Sequence, residues 1–153
     1  MESIEGLLRE HPFLQNLSDE QLRFLTSCSA NRRYAANEYL LREGESAAAF
    51  FLLRSGRVAL EVHLPGKGPV QVESLGDGDV LGWSWMFPPY RWQLDARVVA
   101  PVVALVFAGD CLRAKMEADH DLGYALSKLM MAQLYRRLER VRLQRLDVYL
   151  AEP

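Results

Sequence analysis

The spacing of apolar residues changes period twice along this chain, and the two changes divide it into three parts. Residues 3 to 10 read as a short helix stopped at Pro12, because the residue before a proline, here His11, is steered out of helical geometry. Ser18 then stands three residues before Gln21, with Leu17 and Leu22 at the staple positions. That arrangement predicts a capped helix running to about Ser27. From Arg32 to Phe107 the pattern becomes short apolar runs cut by glycine or proline, which predicts strands at 39–41, 50–53, 58–63, 70–75 and 102–107. The runs Val58 to His63 and Val70 to Glu73 partly alternate, as in a sheet with one solvated face, and their spacing suits a small antiparallel barrel or sandwich.

After Gly109 and Asp110 the helical period returns and persists. A helix from about Asp119 to Leu150 would span ~45 Å, too long to fold wholly onto a small barrel. Met131, Leu134, Leu138, Val141 and Val148 recur at steps of three and four with Arg145 as the break, a short seam of the coiled-coil kind. Leu143, Leu146 and Leu150 form a second stripe, and Leu122, Leu126 and Leu129 a third, nearer the barrel. The expectation is a homodimer through the seam; a helix buried twice within its own monomer is the alternative. Arg136, Arg137, Arg140, Arg142 and Arg145 make the densest charge run. They read either as a solvated face or as a set from which some arginine reaches a bound anion.

With 153 residues, half of them apolar, the chain is expected to form one domain: helices over 1–30, a β-roll over 31–108 and helices over 109–153. A net charge of -2 gives no global attraction to nucleic acid. Cys28 and Cys111 lie far apart and outside any Cys-x-x-Cys pair, so two buried thiols in a reducing compartment are expected. No leader and no apolar run of membrane length is visible, so a cytoplasmic protein without a membrane partner is expected. The three histidines are scattered, which gives no metal site, and no nucleophile or acid–base pair is arranged for catalysis; Ser84 lacks the closing glycine of a nucleophile elbow.

The segment Gly82 to Arg97 holds all three tryptophans, two prolines and two arginines. Trp83, Trp85, Phe87, Tyr90 and Trp92 either stack on a flat ligand or form a small core that plugs the space, with Pro88 and Pro89 stiffening it. Asp95 and Arg97 share a face of an extended strand and would pair there.

Several stretches, taken in order, resemble the cyclic nucleotide-binding domain family, the effector domain of catabolite-activator-type regulators and of kinase regulatory subunits. They are a short helix near Phe13 to Leu25, Arg42-Glu43-Gly44-Glu45 before Phe50 to Leu53, Ser55-Gly56-Arg57-Val58, Leu75 to Asp79, Leu81-Gly82, and Ala132 to Leu138. The resemblance implies a mainly β fold, an eight-stranded β-roll of jelly-roll type with flanking helices and a long C-terminal dimer helix. It also implies cAMP or cGMP as ligand, held by a glutamate directly after the Leu-Gly glycine and an arginine ten or eleven residues on. Those positions are Trp83 and either Trp92 or Gln93, so both charged anchors are replaced. An indole offers one N–H donor and a bulky apolar body where the family uses a carboxylate.

The ligand-site candidates are therefore Gly82, Trp83, Ser84, Trp85, Arg91, Trp92, Gln93 and Arg97, with Arg142 from the helix where relatives contact the base. Arg91 and Arg97 are the arginines nearest the phosphate position. No further cofactor is implied. The expected function is a non-enzymatic sensor or regulatory module that binds a cyclic nucleotide or another small anionic or aromatic molecule and signals through its last helix to a protein partner. The alternatives are a ligand-free dimeric interaction scaffold and the effector domain of a DNA-binding regulator. The chain as given has no helix-turn-helix of its own and so no nucleic-acid partner through these residues alone.

Overall fold

The computed structural model describes residues 2–151, the side chains of residues 149 and 151 excepted. The last two residues of the expected C-terminal segment lie outside that range. The opening helix α1 (Ile4–Glu10) starts where the Ser3 side chain accepts a hydrogen bond from the Gly6 N–H, and it ends at His11. A single helical turn over Pro12–Leu14 leads to α2 (Asp19–Thr26). The predicted capping box is present, with Ser18 and Gln21 exchanging side-chain bonds to each other's backbone N–H. Leu7, Leu8, Leu22 and Leu25 bury this helical layer against the sheet.

The sheet has six antiparallel strands: β1 (Ser29–Tyr34), β2 (Tyr39–Leu41), β3 (Ala49–Leu64), β4 (Gly68–Leu75), β5 (Val80–Leu81) and β6 (Asp95–Ala108). Its spine is the pairing of β3 with β6, which runs from Ala49 opposite Ala108 to Glu61 opposite Asp95. β1 and β2 pair with β6, and β4 and β5 with β3. Architecture and expectation agree on a mainly antiparallel β core flanked by helices and followed by one long helix.

Three details differ from the sequence reading. Gly56 does not end a strand. It bends one, at φ 108°, where a Cβ would stand 2.4 Å from the Pro101 carbonyl oxygen, so only glycine permits that approach and the ladder continues past it with shifts of register. β1 was not predicted, because Ser29-Ala30-Asn31-Arg32-Arg33-Tyr34 is a polar edge strand without apolar alternation. The first half of β6 overlaps the tryptophan segment, and its core-facing Ala96 and Val98 alternate with Asp95 and Arg97 as a strand requires.

Cys28 and Cys111 are not free thiols: they form a disulfide. The fold brings them together because β1 runs antiparallel to the end of β6, with Ser29 opposite Phe107, and the Ala108 N–H donates to the Cys28 carbonyl. Cys111 follows in the first turn of α3 (Gly109–Ala118), so a separation of 83 residues closes to 5.7 Å between Cα atoms. Sequence distance hid a contact that strand register makes, and the argument for a reducing compartment loses its support. Among the described residues no helix is long and apolar enough to cross a membrane.

Helix α4 (His120–Ala151) is 32 residues long, about 48 Å. Its first turns bury Leu122, Leu126 and Met130. Gly123 lets it cross α3 closely, since a Cβ there would stand 2.9 Å from the Met116 carbonyl oxygen. Beyond Met130 every described side chain is exposed except Gln133 and Arg137, which are half-buried.

Candidate functional site

The segment after β5 begins at Gly82, whose φ of 95° aims the chain across Trp92; a Cβ would lie 3.0 Å from the Trp92 ring. A helical turn over Ser84–Met86 follows. The chain reverses at Tyr90, which adopts φ 56° and donates its N–H to the Phe87 carbonyl at 2.8 Å. The returning stretch is tied to the loop between β2 and β3. The Ala47 N–H donates to the Tyr90 carbonyl, the Trp92 N–H to the Glu45 carbonyl, and the Gly44 N–H to the Trp92 carbonyl. This backbone clamp fixes the segment against the loop between β2 and β3.

The three tryptophans have separate roles. Trp85 is fully buried, donates its indole N–H to the Gly82 carbonyl at 3.0 Å and packs 5.6 Å from the Phe50 ring. It belongs to the core. Trp92 is 6% exposed and forms a wall. Trp83 is partly buried, with its ring edge-on to Phe50 at 6.2 Å. Its Nε1 is the one buried side-chain polar atom without a hydrogen-bond partner among the described residues.

Between Trp83 and Trp92 lies a pocket of about 140 Å³, lined by Leu41, Leu60, Leu81, Leu94, Gly82, Ser84 and Gln93 and closed on the helix side by Arg137. That volume is under half the ~300 Å³ at the low end for drug-sized ligands. Arg137 donates twice to Glu73 on β4, at 2.9 and 3.0 Å, and once to the Val80 carbonyl at 3.3 Å, while its guanidinium lies 4.9 Å over the Trp83 ring. Arg140 adds a contact to Glu73 at 3.3 Å and one to Asp79 at 3.9 Å. Two cations thus face two carboxylates beside the pocket, and a large share of Arg137's hydrogen-bonding capacity is taken up by the protein itself.

The structure brings Gly82, Trp83, Ser84, Trp92 and Gln93 together at the pocket and sets the other sequence candidates elsewhere. Arg91 donates to the Gly44 carbonyl at 3.0 Å and holds the β2–β3 loop. Arg97 pairs with Glu61 at 3.2 Å, not with Asp95, and this hydrogen bond raises the Arg97 pKa above its ordinary value. Asp95 instead accepts from the Glu43 N–H at 2.8 Å. Asp95 and Arg97 stand two residues apart on β6, but each has a better partner on a neighbouring strand or loop. Arg142 is exposed and outside the pocket lining.

Sequence reasoning named Arg137 in the arginine run without assigning it to the site. The available signal was the three-residue step from Arg137 to Arg140, which puts both on one helix face. Its partner Glu73, 64 residues away, carries no local mark.

Along α4, Met131, Leu134, Leu138, Val141 and Val148 are all exposed, as are Leu143, Leu146 and Leu150. No group of three or more potential metal ligands occurs among the described residues.

Comparison with known proteins agrees with this geometry. A solved structure from Geobacter metallireducens GS-15, described as a candidate cyclic nucleotide-binding protein, superposes with a TM-score of 0.78 at 29% identity, over 90% of this chain and 99% of the other. A cyclic nucleotide-binding domain from Methylobacillus flagellatus KT superposes with a TM-score of 0.79, over 98% of this chain and 84% of the other, and its 21% identity speaks to fold alone. Among curated proteins, cGMP-dependent protein kinase isozyme 1 of Drosophila melanogaster is 33% identical over 84 residues, 54% of this chain but only 11% of the kinase. The chain therefore matches a small part of that relative. The family model described as the cyclic nucleotide-binding domain matches residues 31–119, and the chain belongs to the cyclic nucleotide-binding domain family.

Proposed function

We infer that this chain is a non-enzymatic regulatory module in which α4 reports the state of the pocket beside Trp83, and that it does so without holding a cyclic nucleotide in the family's manner. The family fold is a regulatory one, and the kinase relatives carry it as a small part of a larger protein. One observation carries the reading: Arg137 on α4 is both the clamp on Glu73 and the cation stacked on Trp83, so pocket and helix share a residue. Anything that displaces Trp83 must act on Arg137, and with it on the helix, which is how differential affinity shifts a two-state element.

Three features speak against a cyclic nucleotide. Trp83 occupies the sequence position of the ribose-binding carboxylate, the pocket is small, and Arg91 and Arg97 are engaged elsewhere. The output surface in this reading is the outer half of α4, whose exposed seam of Met131, Leu134, Leu138, Val141 and Val148 suits a second copy of the same helix. A downstream protein partner would then meet the paired helices.

Titration with cAMP and with cGMP, followed by tryptophan fluorescence and melting temperature, tests the pocket half of this reading. Neither signal is expected to move at about millimolar nucleotide; saturable binding of either would overturn it. Light scattering after size exclusion tests the output half, with a dimer expected and a monomer at all concentrations counting against it.

A further inference from the structure

We propose that the pocket between Trp83, Trp92 and Arg137 binds a single-ring aromatic carboxylate. The inference rests on reading this pocket as the regulatory input and adds the class of its occupant. Size comes first. The pocket is about 140 Å³, and an engineered protein cavity of ~150 Å³ lined by apolar side chains holds benzene. One six-membered ring fits where a base with its sugar phosphate does not.

The lining gives the chemistry of the body. Leu41, Leu60, Leu81 and Leu94 with the Trp92 ring offer apolar and aromatic surface and no charge, which suits a hydrocarbon ring lying against an indole face. The polar groups give the chemistry of the head. Trp83 Nε1–H is buried and has no acceptor, a state that carries a desolvation penalty unless an acceptor arrives. Ser84, the next residue in the lining, carries a second donor, its hydroxyl.

Arg137 decides in favour of a charged head. Its guanidinium stands over the Trp83 ring and is neutralised by Glu73, so a carboxylate accepting from Trp83 Nε1 arrives beside a cation whose present counter-ion is part of the sheet. The ligand carboxylate competes with Glu73 for Arg137. Occupancy therefore loosens the more buried of the two arginine contacts that tie α4 to Glu73 on β4. Arg140, which shares Glu73, holds the released carboxylate and keeps it from standing unpaired.

The test uses the full chain labelled with nitrogen-15, in which each of the three tryptophans gives one indole N–H resonance. Benzoate is titrated, with toluene as a ring of the same size lacking any acceptor. Benzoate is expected to shift the Trp83 indole resonance saturably and to bind roughly tenfold or more tightly than toluene. In W83F, which keeps an aromatic body but removes the donor, benzoate should lose part of its advantage over toluene, the remainder resting on Ser84 and Arg137. The Trp83 resonance is assigned from ring-to-backbone connectivities in the unmodified chain, so the result does not depend on the variant folding. No saturable shift at Trp83 up to about 10 mM benzoate, or equal affinity for benzoate and toluene, overturns the proposal. A dimer that ignores both cyclic nucleotides and benzoate loses this inference and keeps the regulatory reading. A chain that saturates with cAMP loses both.

Discussion

The inner and outer halves of α4 carry the same kind of apolar pattern and meet opposite fates. Leu122, Leu126 and Met130, four residues apart, are 0%, 2% and 2% exposed, whereas Leu134, Leu138 and Val141, at steps of four and three, are 44%, 48% and 41% exposed. Periodicity specifies a face and not what covers it. The inner half is covered because α3 and the sheet lie under it, and the outer half has passed the edge of the domain. The boundary is marked by Arg137 and Arg140, which hold the helix to β4 and β5 by charge where apolar contact stops. A buried, fixed half joined to an exposed half at a polar latch is the arrangement expected of a lever.

The largest blow to the fixed half should come from reducing the Cys28–Cys111 bond. It closes a loop of 83 residues, and releasing it frees the unfolded chain by about 4 kcal/mol in the loop-entropy account. Denaturant unfolding with and without a dithiol measures this. The folded protein should still associate through α4, because the bond anchors α3, against which only the inner half packs. A change in oligomeric state with little change in stability would reverse the comparison.

Next in size is Leu126→Ala, expected to lose about 3 kcal/mol because a fully packed leucine leaves a cavity. Leu134→Ala, at the same helical spacing, should stay within about 0.5 kcal/mol once measured in a monomeric background. Equal losses would mean that the outer half is covered within its own chain. Leu138→Glu asks what covers it instead. A charge at the centre of a paired seam is buried without a partner, so dissociation should be favoured by about 2 kcal/mol, roughly thirtyfold in Kd by light scattering over a dilution series. A variant that dimerises as tightly as the parent would move the interface off the seam.

Arg137→Met keeps the side chain's length over Trp83 and removes the latch. Glu73 and Arg137 are 12% and 14% exposed, so the loss should be about 1 to 2 kcal/mol, held down by Arg140, which remains beside Glu73. The informative readout is amide exchange along α4. Protection should fall from about Gln133 outward and stay unchanged over Leu122 to Met130. Loss of protection along the whole helix would show that the two halves are one cooperative unit.

The sequence made the helices, the β core and the apolar faces of α4 legible because each rests on local spacing: a capping box four residues wide, or leucines a turn apart. What it could not supply were contacts made by strand register. Cys28 meets Cys111, Glu61 meets Arg97 and Glu73 meets Arg137 only because β1, β3 and β4 take the places they do, and no residue near any of these six announces its partner. The site was legible to the same extent. Gly82 to Arg97 stands out by composition, and parts of it line the pocket, while the helix residue that completes the pocket depends on how far α4 follows the sheet.

The smallest expected effect separates the two halves by pH. His11 is buried, with Nε2 hydrogen-bonded to the Leu53 carbonyl at 2.9 Å and Nδ1 accepting from the Phe13 N–H, an arrangement that needs the neutral ring. Burial, opposed by the Leu53 bond, holds its pKa below the ordinary 6.5. Above that value both folded and unfolded chains carry a neutral ring and the residue adds no pH dependence. As pH falls below 6.5 the unfolded chain takes up the proton first, so stability is lost progressively until the folded pKa is reached, and the loss is constant beyond it. His11 joins the end of α1 to β3 of the sheet, so the loss belongs to the anchored part of the molecule. Measured in the Leu138→Glu background, unfolding free energy should decline from about pH 6.5 toward pH 5, above the range where free carboxylates titrate. The decline should flatten in His11→Gln, which keeps a hydrogen-bonding side chain without the titration. The dissociation constant of the proposed dimer, measured on the unmodified chain, should stay level over the same interval, because no histidine lies on the outer half of α4. A dimer that weakens in step with the anchored sheet and helices would tie the outer half to them and remove the distinction between the two halves.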